Sequence, residues 1–372
     1  MKKIATITFH SSYNYGSNLQ AYALQEFIKK LCNNDCEYRI INLRLGIQKE
    51  VYTDCFERDD WKSKIKRVFY YKQKKDIIGK RKKFEDFINN KLCVTEEYNT
   101  LEELKKEKWN YDYYISGSDQ LWNIKATDFD WAYFLEFINK GKKISYAASI
   151  GSTNREWDEE ETKRVKENLK KYDAISVREE GTANKIKGIT GISPKINVDP
   201  TLLLTEEDWN LIVPEKPIIT EEYILLYNLR HGRKEILNLA SKISKILKLP
   251  IVTTLPSSKE ELLYGFKRKY DVGPLEFLNI LKNAKFVLSS SFHGTLFSIL
   301  FQKPFFVLGA AKDYRIENLL EKTKLSNRHI DIENIYEKCK EAYDIDFGCV
   351  EECLNIERKK SEDYLKRALE LE

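Results

Sequence analysis

The sequence contains no apolar run approaching the roughly 20 residues of a membrane span. Met1, Lys2 and Lys3 lead straight into a short strand rather than into a signal-peptide pattern. A cytoplasmic protein is expected. An even cysteine framework is also missing: seven cysteines are scattered at 32, 36, 55, 93, 339, 349 and 353, so reduced thiols are the simplest account. Two pairs lie four apart, 32/36 and 349/353, but no nearby histidine completes a four-ligand set, and no metal is expected. The dinucleotide fingerprint G-x-G-x-x-G is absent, because the turn after the first strand has only Gly16. No nucleic-acid recognition motif and no internal repeat are visible, and no nucleic-acid partner is expected.

What is present is enough apolar material for two cores. Of 372 residues, 42% are hydrophobic, with 22 tyrosines and 18 phenylalanines, and this length exceeds what one core usually serves. The net charge of +5 hides an asymmetry. Between Arg58 and Lys91 there are thirteen Lys or Arg against five Asp or Glu, a local +8, leaving 5 − 8 = −3 for the rest. That block, with Trp61, Phe69, Tyr70 and Tyr71, could make a peripheral membrane contact over 58–91 or meet an anionic acceptor. The competing account is a solvated face of inserted helices.

The stretch KFVLSSSFHGTLFSILFQKPFFVL, 285–308, organises the chain. A buried strand runs into Ser289, Ser290 and Ser291, then His293 and Gly294, then an apolar helix, then Pro304 and a second strand. Such a β-α-β unit aims its strand end at a helix N-terminus, where N–H groups and the dipole favour an anion. A histidine there can orient or shuttle a proton. It can equally cap the helix or satisfy a buried carbonyl.

Elsewhere the rhythm is strand and helix. Strands are expected near 3–10, 37–43, 111–116, 143–149, 174–177, 223–229 and 251–254, with helices over 18–31, 157–171, 234–247 and 274–283. Asn14, Gly16, Ser17 and Asn18 follow the first strand as ligand-facing groups or as a plain capped turn. Gly117, Ser118, Asp119, Gln120, Trp122 and Asn123 follow a strand end, where ligands bind in open parallel sheets. Arg178 leaves another strand end, aimed to hold a carboxylate or phosphate, or else paired with Glu179 or Glu180. A turn with Lys312 and Arg315 precedes an amphipathic helix. The expected division is an N-terminal domain over 1–205 with a basic helical insertion at about 46–108, a linker over 205–221, a C-terminal domain over 222–330, and a helical tail over 331–372 packing back on the first domain.

Five motifs occur in order: Asn14-x-Gly16; Gly117-Ser118-Asp119-Gln120-x-Trp122-Asn123; Ser176-Val177-Arg178-Glu179; Val198-Asp199-Pro200-Thr201; and Ser290-Ser291-Phe292-His293-Gly294. Together, over roughly residues 1 to 320, they resemble the polysaccharide pyruvyl transferase family. The resemblance implies an α/β fold similar to the B-type glycosyltransferases, two Rossmann-like domains facing across a cleft. It implies transfer of a pyruvyl unit from phosphoenolpyruvate, a co-substrate with no further cofactor, to sugar hydroxyls, commonly as a cyclic ketal. The sugar would belong to a cell-surface polysaccharide precursor, an exopolysaccharide for example, and would be lipid-linked. By position His293 matches the family's catalytic histidine and Arg178 an arginine used on the donor. Ser290, Ser291, Gly294, Lys312 and Arg315 complete the implied donor side. Asn14, Gly16, Ser17, Asn18, Ser118, Asp119, Gln120, Trp122 and Asn123 form the implied acceptor side. One departure stands out: many members have Gly-Asp-Glu where this chain has Gly16, Ser17 and Asn18. Two other functions fit the pattern, a glycosyltransferase using a nucleotide-sugar and a non-catalytic module binding anionic glycans.

Overall fold

A computed structural model describes residues 1–46, 56, 61–69, 71–151, 156–229, 234–254, 263–309 and 313–371. The chain divides into two compact units that are discontinuous in sequence. One takes Met1–Arg58, Asp86–Leu204 and Asn355–Glu372; the other takes Asp59–Glu85 and Thr205–Leu354.

The first unit is built on a parallel sheet ordered β3-β2-β1-β4-β5. Its strands are β1 (Lys2–Ile7), β2 (Cys36–Leu43), β3 (Val94–Tyr98), β4 (Tyr113–Ser116) and β5 (Lys142–Ser145). Past β5 the pattern continues through single bridges, Ile144 to Ala174 and Ala148 to Val177, into the pair β6 (Ser176–Val177) and β7 (Lys195–Ile196). Strands covered on both faces carry unbroken apolar runs, so β1 reads Ile-Ala-Thr-Ile with all four side chains buried. The helix Tyr15–Leu31 links β1 to β2. Because β3 is the edge strand of this sheet, the expected insertion at 46–108 is not one block: its C-terminal part builds the first unit, and 59–85 belongs to the second.

The core of the first unit gathers Ile7, Phe9, Tyr114, Leu121, Trp122, Tyr133, Phe134 and Val177. The last residues close this unit. Arg358 donates to the Leu202 carbonyl (2.6 Å), Tyr364 to the Ser145 carbonyl (2.7 Å) and Lys2 to the Leu369 carbonyl (2.9 Å).

The second unit carries a six-stranded parallel sheet ordered β10-β9-β8-β11-β12-β13. Its strands are β8 (Ile224–Tyr227), β9 (Ile251–Thr253), β10 (Lys267–Arg268), β11 (Phe286–Ser289), β12 (Phe305–Leu308) and β13 (His329–Ile330). The helices Lys234–Leu247 and Pro274–Asn283 fall where the apolar spacing puts them. The span 205–221 is no linker. Thr205 and Asp208 form a capping box, Trp209 is fully buried and meets the Phe297 ring edge-on, and Asn279 donates to the Pro214 and Lys216 carbonyls. Its two prolines interrupt helix without preventing packing. The region beyond Asp331 also divides, 331–354 into the second unit and 355–372 into the first.

No helix among the described residues is long and apolar enough to cross a membrane. None of their His, Cys, Asp or Glu side chains cluster in a way that could hold a metal ion. The described cysteines, Cys32, Cys36, Cys93, Cys339, Cys349 and Cys353, form no disulfide; Cys55 lies outside the described residues.

Candidate functional site

In the second unit the polar groups converge at the C-terminal ends of β8 and β11, the central pair of the sheet. β11 delivers Ser289, Ser290 and Ser291, and the helix Phe292–Leu300 begins at once. Each serine holds the turn. Ser289 Oγ donates to the Ser291 carbonyl and accepts from the Ser291 N–H, both at 3.0 Å. Ser290 Oγ donates to Asn228 Oδ1 (2.8 Å) and accepts from the Leu229 N–H (3.1 Å), tying the ends of the two strands together. Ser291 is the helix N-cap and accepts from the Gly294 N–H. The hydroxyls of Ser290 and Ser291, expected on the donor, therefore act first as braces for the turn.

His293 lies in the first turn of this helix, 8% exposed, with its ring against the edge of Phe292 at 5.2 Å between centroids. Gly294 has a packing reason to be glycine. A Cβ there would collide with Ser289 Oγ and come within 2.6 Å of Tyr227 Cδ1. Only a bare backbone lets the helix start this close to β8 and β11. His293 is thus placed just past a strand end, in the first turn of a helix. Arg315 reaches the same neighbourhood, its guanidinium 5.8 Å from the Phe292 centroid, but it forks onto Asp313 through Nε (2.9 Å) and Nη2 (2.8 Å). Lys312 lies outside the described residues.

In the first unit the loops after β1, β4 and β5 meet at their strand ends. Gly117 permits the approach of β4's exit to β1, since a Cβ there would sit 3.0 Å from Thr8 Cβ. Asn14 is a helix cap: its Oδ1 accepts from the Gly16 and Ser17 N–H groups at the start of the helix Tyr15–Leu31. Ser17 Oγ donates to Asp119 Oδ2 at 2.7 Å, joining two motifs 102 positions apart. A carboxylate at position 17 would face the Asp119 carboxylate, whereas a hydroxyl donates to it. Asp119 sits at φ +78°, stabilised by its own Oδ1 accepting from the Gln120 N–H (2.9 Å).

Asn18 is fully buried and pins the first loop by donating to the His10 (2.6 Å) and Ser12 (3.0 Å) carbonyls. Its Oδ1 and the buried Ser12 Oγ have no hydrogen-bond partner among the described residues, and buried polar atoms of this kind ordinarily find one in water or ligand. Gln120 and Asn123 both close on Gly151, at φ +75°, where a Cβ would crowd Asn123 Nδ2 to 3.0 Å.

Two expected site residues are placed otherwise. Trp122 is fully buried, stacked on Phe134 at 5.3 Å, with its indole N–H donated to Ser116 Oγ (3.0 Å). It is core rather than acceptor wall. Arg178 is also enclosed, its side chain 3% exposed. Its Nη1 donates to Asp199 Oδ2 at 2.9 Å and its Nε to Glu179 Oε2 at 3.4 Å. Those carboxylates are themselves held, Asp199 by Ser118 Oγ (3.3 Å) and by Thr201 Oγ1 (2.7 Å), Glu179 by Ser149 Oγ (2.7 Å) and Thr182 Oγ1. The neighbouring anions Glu179, Asp199 and Asp119 raise the Arg178 pKa despite the opposing effect of burial. The guanidinium expected on the donor thus locks the exits of β4 and β6 to the Asp199–Pro200 turn, and Ser118 joins this lock.

Sequence reasoning assigned no role to Ser12, Asn228 or Gly151; it offered Glu179 as an alternative partner of Arg178 and treated Asp199 only as part of a motif. A signal existed for the last two: an arginine flanked by acids leaving a strand is as often neutralised as exposed.

The family model for polysaccharide pyruvyl transferase matches residues 14–311. The chain belongs to the polysaccharide pyruvyl transferase family. It is a transferase, and His293, Arg178 and the strand-end motifs lie inside the matched span, while Lys312 and Arg315 lie just past it. No curated protein matches the chain.

Among solved structures, the UDP-GlcNAc 2-epimerase from Neisseria meningitidis bound to UDP-GlcNAc is similar with TM-score 0.58 and 12% identity, covering 99% of each chain. The S. aureus MnaA–UDP co-structure gives 0.57 and 16%, covering 100% of this chain and 98% of that one. The UDP-GlcNAc 2-epimerase from Methanocaldococcus jannaschii gives 0.52 and 16%, covering 93% and 92%. These likenesses establish the GT-B-like fold, as the resemblance implied.

Proposed function

We propose that this family member transfers a pyruvyl unit from phosphoenolpyruvate to the hydroxyls of a sugar in a lipid-linked cell-surface polysaccharide precursor, in the cytoplasm, forming a ketal. Phosphoenolpyruvate is then a co-substrate and no further cofactor takes part. The observation that carries this reading is His293, held in the first turn of a helix at the end of a central strand by Ser291, Gly294 and Phe292.

The chemistry asks for a proton at one carbon and its removal from two oxygens. The methylene carbon of phosphoenolpyruvate is protonated to a methyl group, and one sugar hydroxyl adds to C2. Phosphate leaves with its bridging oxygen, a second hydroxyl takes its place, and of the two hydroxyl protons released one balances the new methyl group and the other leaves with phosphate. His293 performs one of these transfers. The N-terminus of the helix Phe292–Leu300 favours the anionic donor, with Lys312 as a further cation. In the first unit, Asn18, Ser12, Asp119, Gln120 and Asn123 are the groups suited to sugar hydroxyls.

Arg178 is a positioning residue in this scheme, because its charge is already met by Asp199 and Glu179.

Incubation with phosphoenolpyruvate and a lipid-linked oligosaccharide pool tests the reading, following phosphate release together with mass gain of the acceptor. His293→Ala should lower kcat by about 10²–10⁴-fold while leaving the thermal midpoint near that of the wild type. A variant with near-full rate removes His293 from the chemistry. Calorimetric titration with phosphoenolpyruvate against a panel of nucleotide-sugars separates pyruvyl transfer from glycosyl transfer, and binding of only the latter would overturn the proposal.

A further inference from the structure

The helix Trp61–Phe69, sequence WKSKIKRVF, presents large apolar side chains to solvent. Trp61 is 67% exposed, Ile65 58% and Val68 80%, and Tyr71 just beyond is 75% exposed. Ser63, a small polar residue, is buried, at 5%. Positions 61, 65 and 68 follow the i, i+4, i+7 spacing, so the three large apolar side chains share one face of the helix. Single exposed apolar residues are ordinary on a protein surface, but an aromatic and two β-branched residues on one face of a nine-residue helix, with an exposed tyrosine two positions past its end, are not.

The charge around that face is predominantly positive. The helix sequence holds four cations and no anion, and the surrounding block from Arg58 to Lys91 carries a local +8. Lys64, beside the apolar stripe, is exposed. A protein partner for a nine-residue helix would ordinarily be met by mixed charges. A bilayer offers what this face needs throughout, an apolar layer beneath a continuous sheet of negative headgroups. Tryptophan and tyrosine also suit the headgroup boundary, with one end apolar and the other wet.

We propose that the face formed by Trp61, Ile65, Val68 and Tyr71 docks the protein onto an anionic lipid bilayer, lying in the interface with the surrounding lysines against the headgroups. This inference does not depend on the pyruvyl donor, and it holds or fails whatever the protein transfers.

The test is flotation of the full-length protein with vesicles of phosphatidylcholine alone and of phosphatidylcholine with phosphatidylglycerol. The protein should float with the anionic vesicles only, and less as salt rises. The triple variant Trp61→Ser, Ile65→Ser, Val68→Ser should lose at least about tenfold in partitioning, with an unchanged thermal midpoint because none of the three supports the core. Lys64→Glu should lower partitioning about fivefold or more, since each charge near such a surface contributes about 1 kcal/mol. The emission of Trp61 should shift to the blue on anionic vesicles, and Trp61→Phe should abolish the shift. Wild-type protein that stays unbound to both vesicle types overturns the proposal, as does a triple variant that floats like wild type. A concentration-dependent dimer that the triple variant abolishes, with no flotation, would assign the face to a second copy instead.

Discussion

Replacing Arg178 by methionine decides between a buried strut and a donor ligand. Methionine keeps the length of the aliphatic stem and removes the charge. The side chains of Arg178, Glu179 and Asp199 are 3%, 4% and 0% exposed, with contacts of 3.4 Å and 2.9 Å. At an effective dielectric of about 20, a unit pair at such distances attracts by about 4 kcal/mol, offset in the native protein by desolvation of all three groups. Taking the cation away leaves two enclosed carboxylates without it, and breaking a buried pair in this manner costs about 3–5 kcal/mol. Against a typical total stability of about 5–15 kcal/mol, the loss would appear as a large fall in the denaturant midpoint of the unfolding transition.

Asp199→Asn should cost less, because Arg178 keeps Glu179. The double variant should be more stable than the two single losses added together, by about 2 kcal/mol. If Arg178→Met instead unfolds at the wild-type midpoint and loses only phosphoenolpyruvate binding, the guanidinium is a ligand for the donor and the strut is refuted.

Two further outcomes follow from packing and burial. Gly294→Ala forces a Cβ onto Ser289 Oγ and within 2.6 Å of Tyr227, so it should destabilise by about 1–3 kcal/mol and lower turnover by shifting His293; equal stability by urea titration would contradict the close approach. Lys143 is enclosed, donates to the Leu135 carbonyl at 2.8 Å, and has its pKa pushed down to about 8 by burial and, secondarily, by Lys171. The unfolded chain then binds the proton more tightly between about pH 8 and the ordinary lysine value near 10.4, so this lysine makes stability rise with pH across that window and weighs fully against folding below it. Lys143→Met should flatten the rise, by roughly 3 kcal/mol at most; identical slopes in the two proteins would refute the burial.

The strand-and-helix order was legible because a parallel sheet covered on both faces demands short apolar runs, and its helices demand a 3.6-residue stripe. Helices 234–247 and 274–283 are found at the expected residues, and the opening unit around His293 has the expected strand, turn and helix. What periodicity does not carry is which side of a strand end a polar side chain serves. Arg178, Ser290, Asn14 and Trp122 all looked like ligand-facing groups, and each makes an internal bond: to two carboxylates, in a strand tie, as a helix cap and from the indole to Ser116. The proline-bearing span 205–221 looked loose because Pro214 and Pro217 stop a helix, yet Trp209 anchors it in the core.

The chain alone thus determined its fold class, its family motifs and the place of His293, since these rest on local spacing, which one-dimensional order preserves. Tertiary structure alone decided which charges are already met. Ser17 finds Asp119 across 102 residues, and Arg178 finds Asp199 across 21; no local pattern encodes such pairings, because they exist only once separate strand ends are brought to one edge of the sheet.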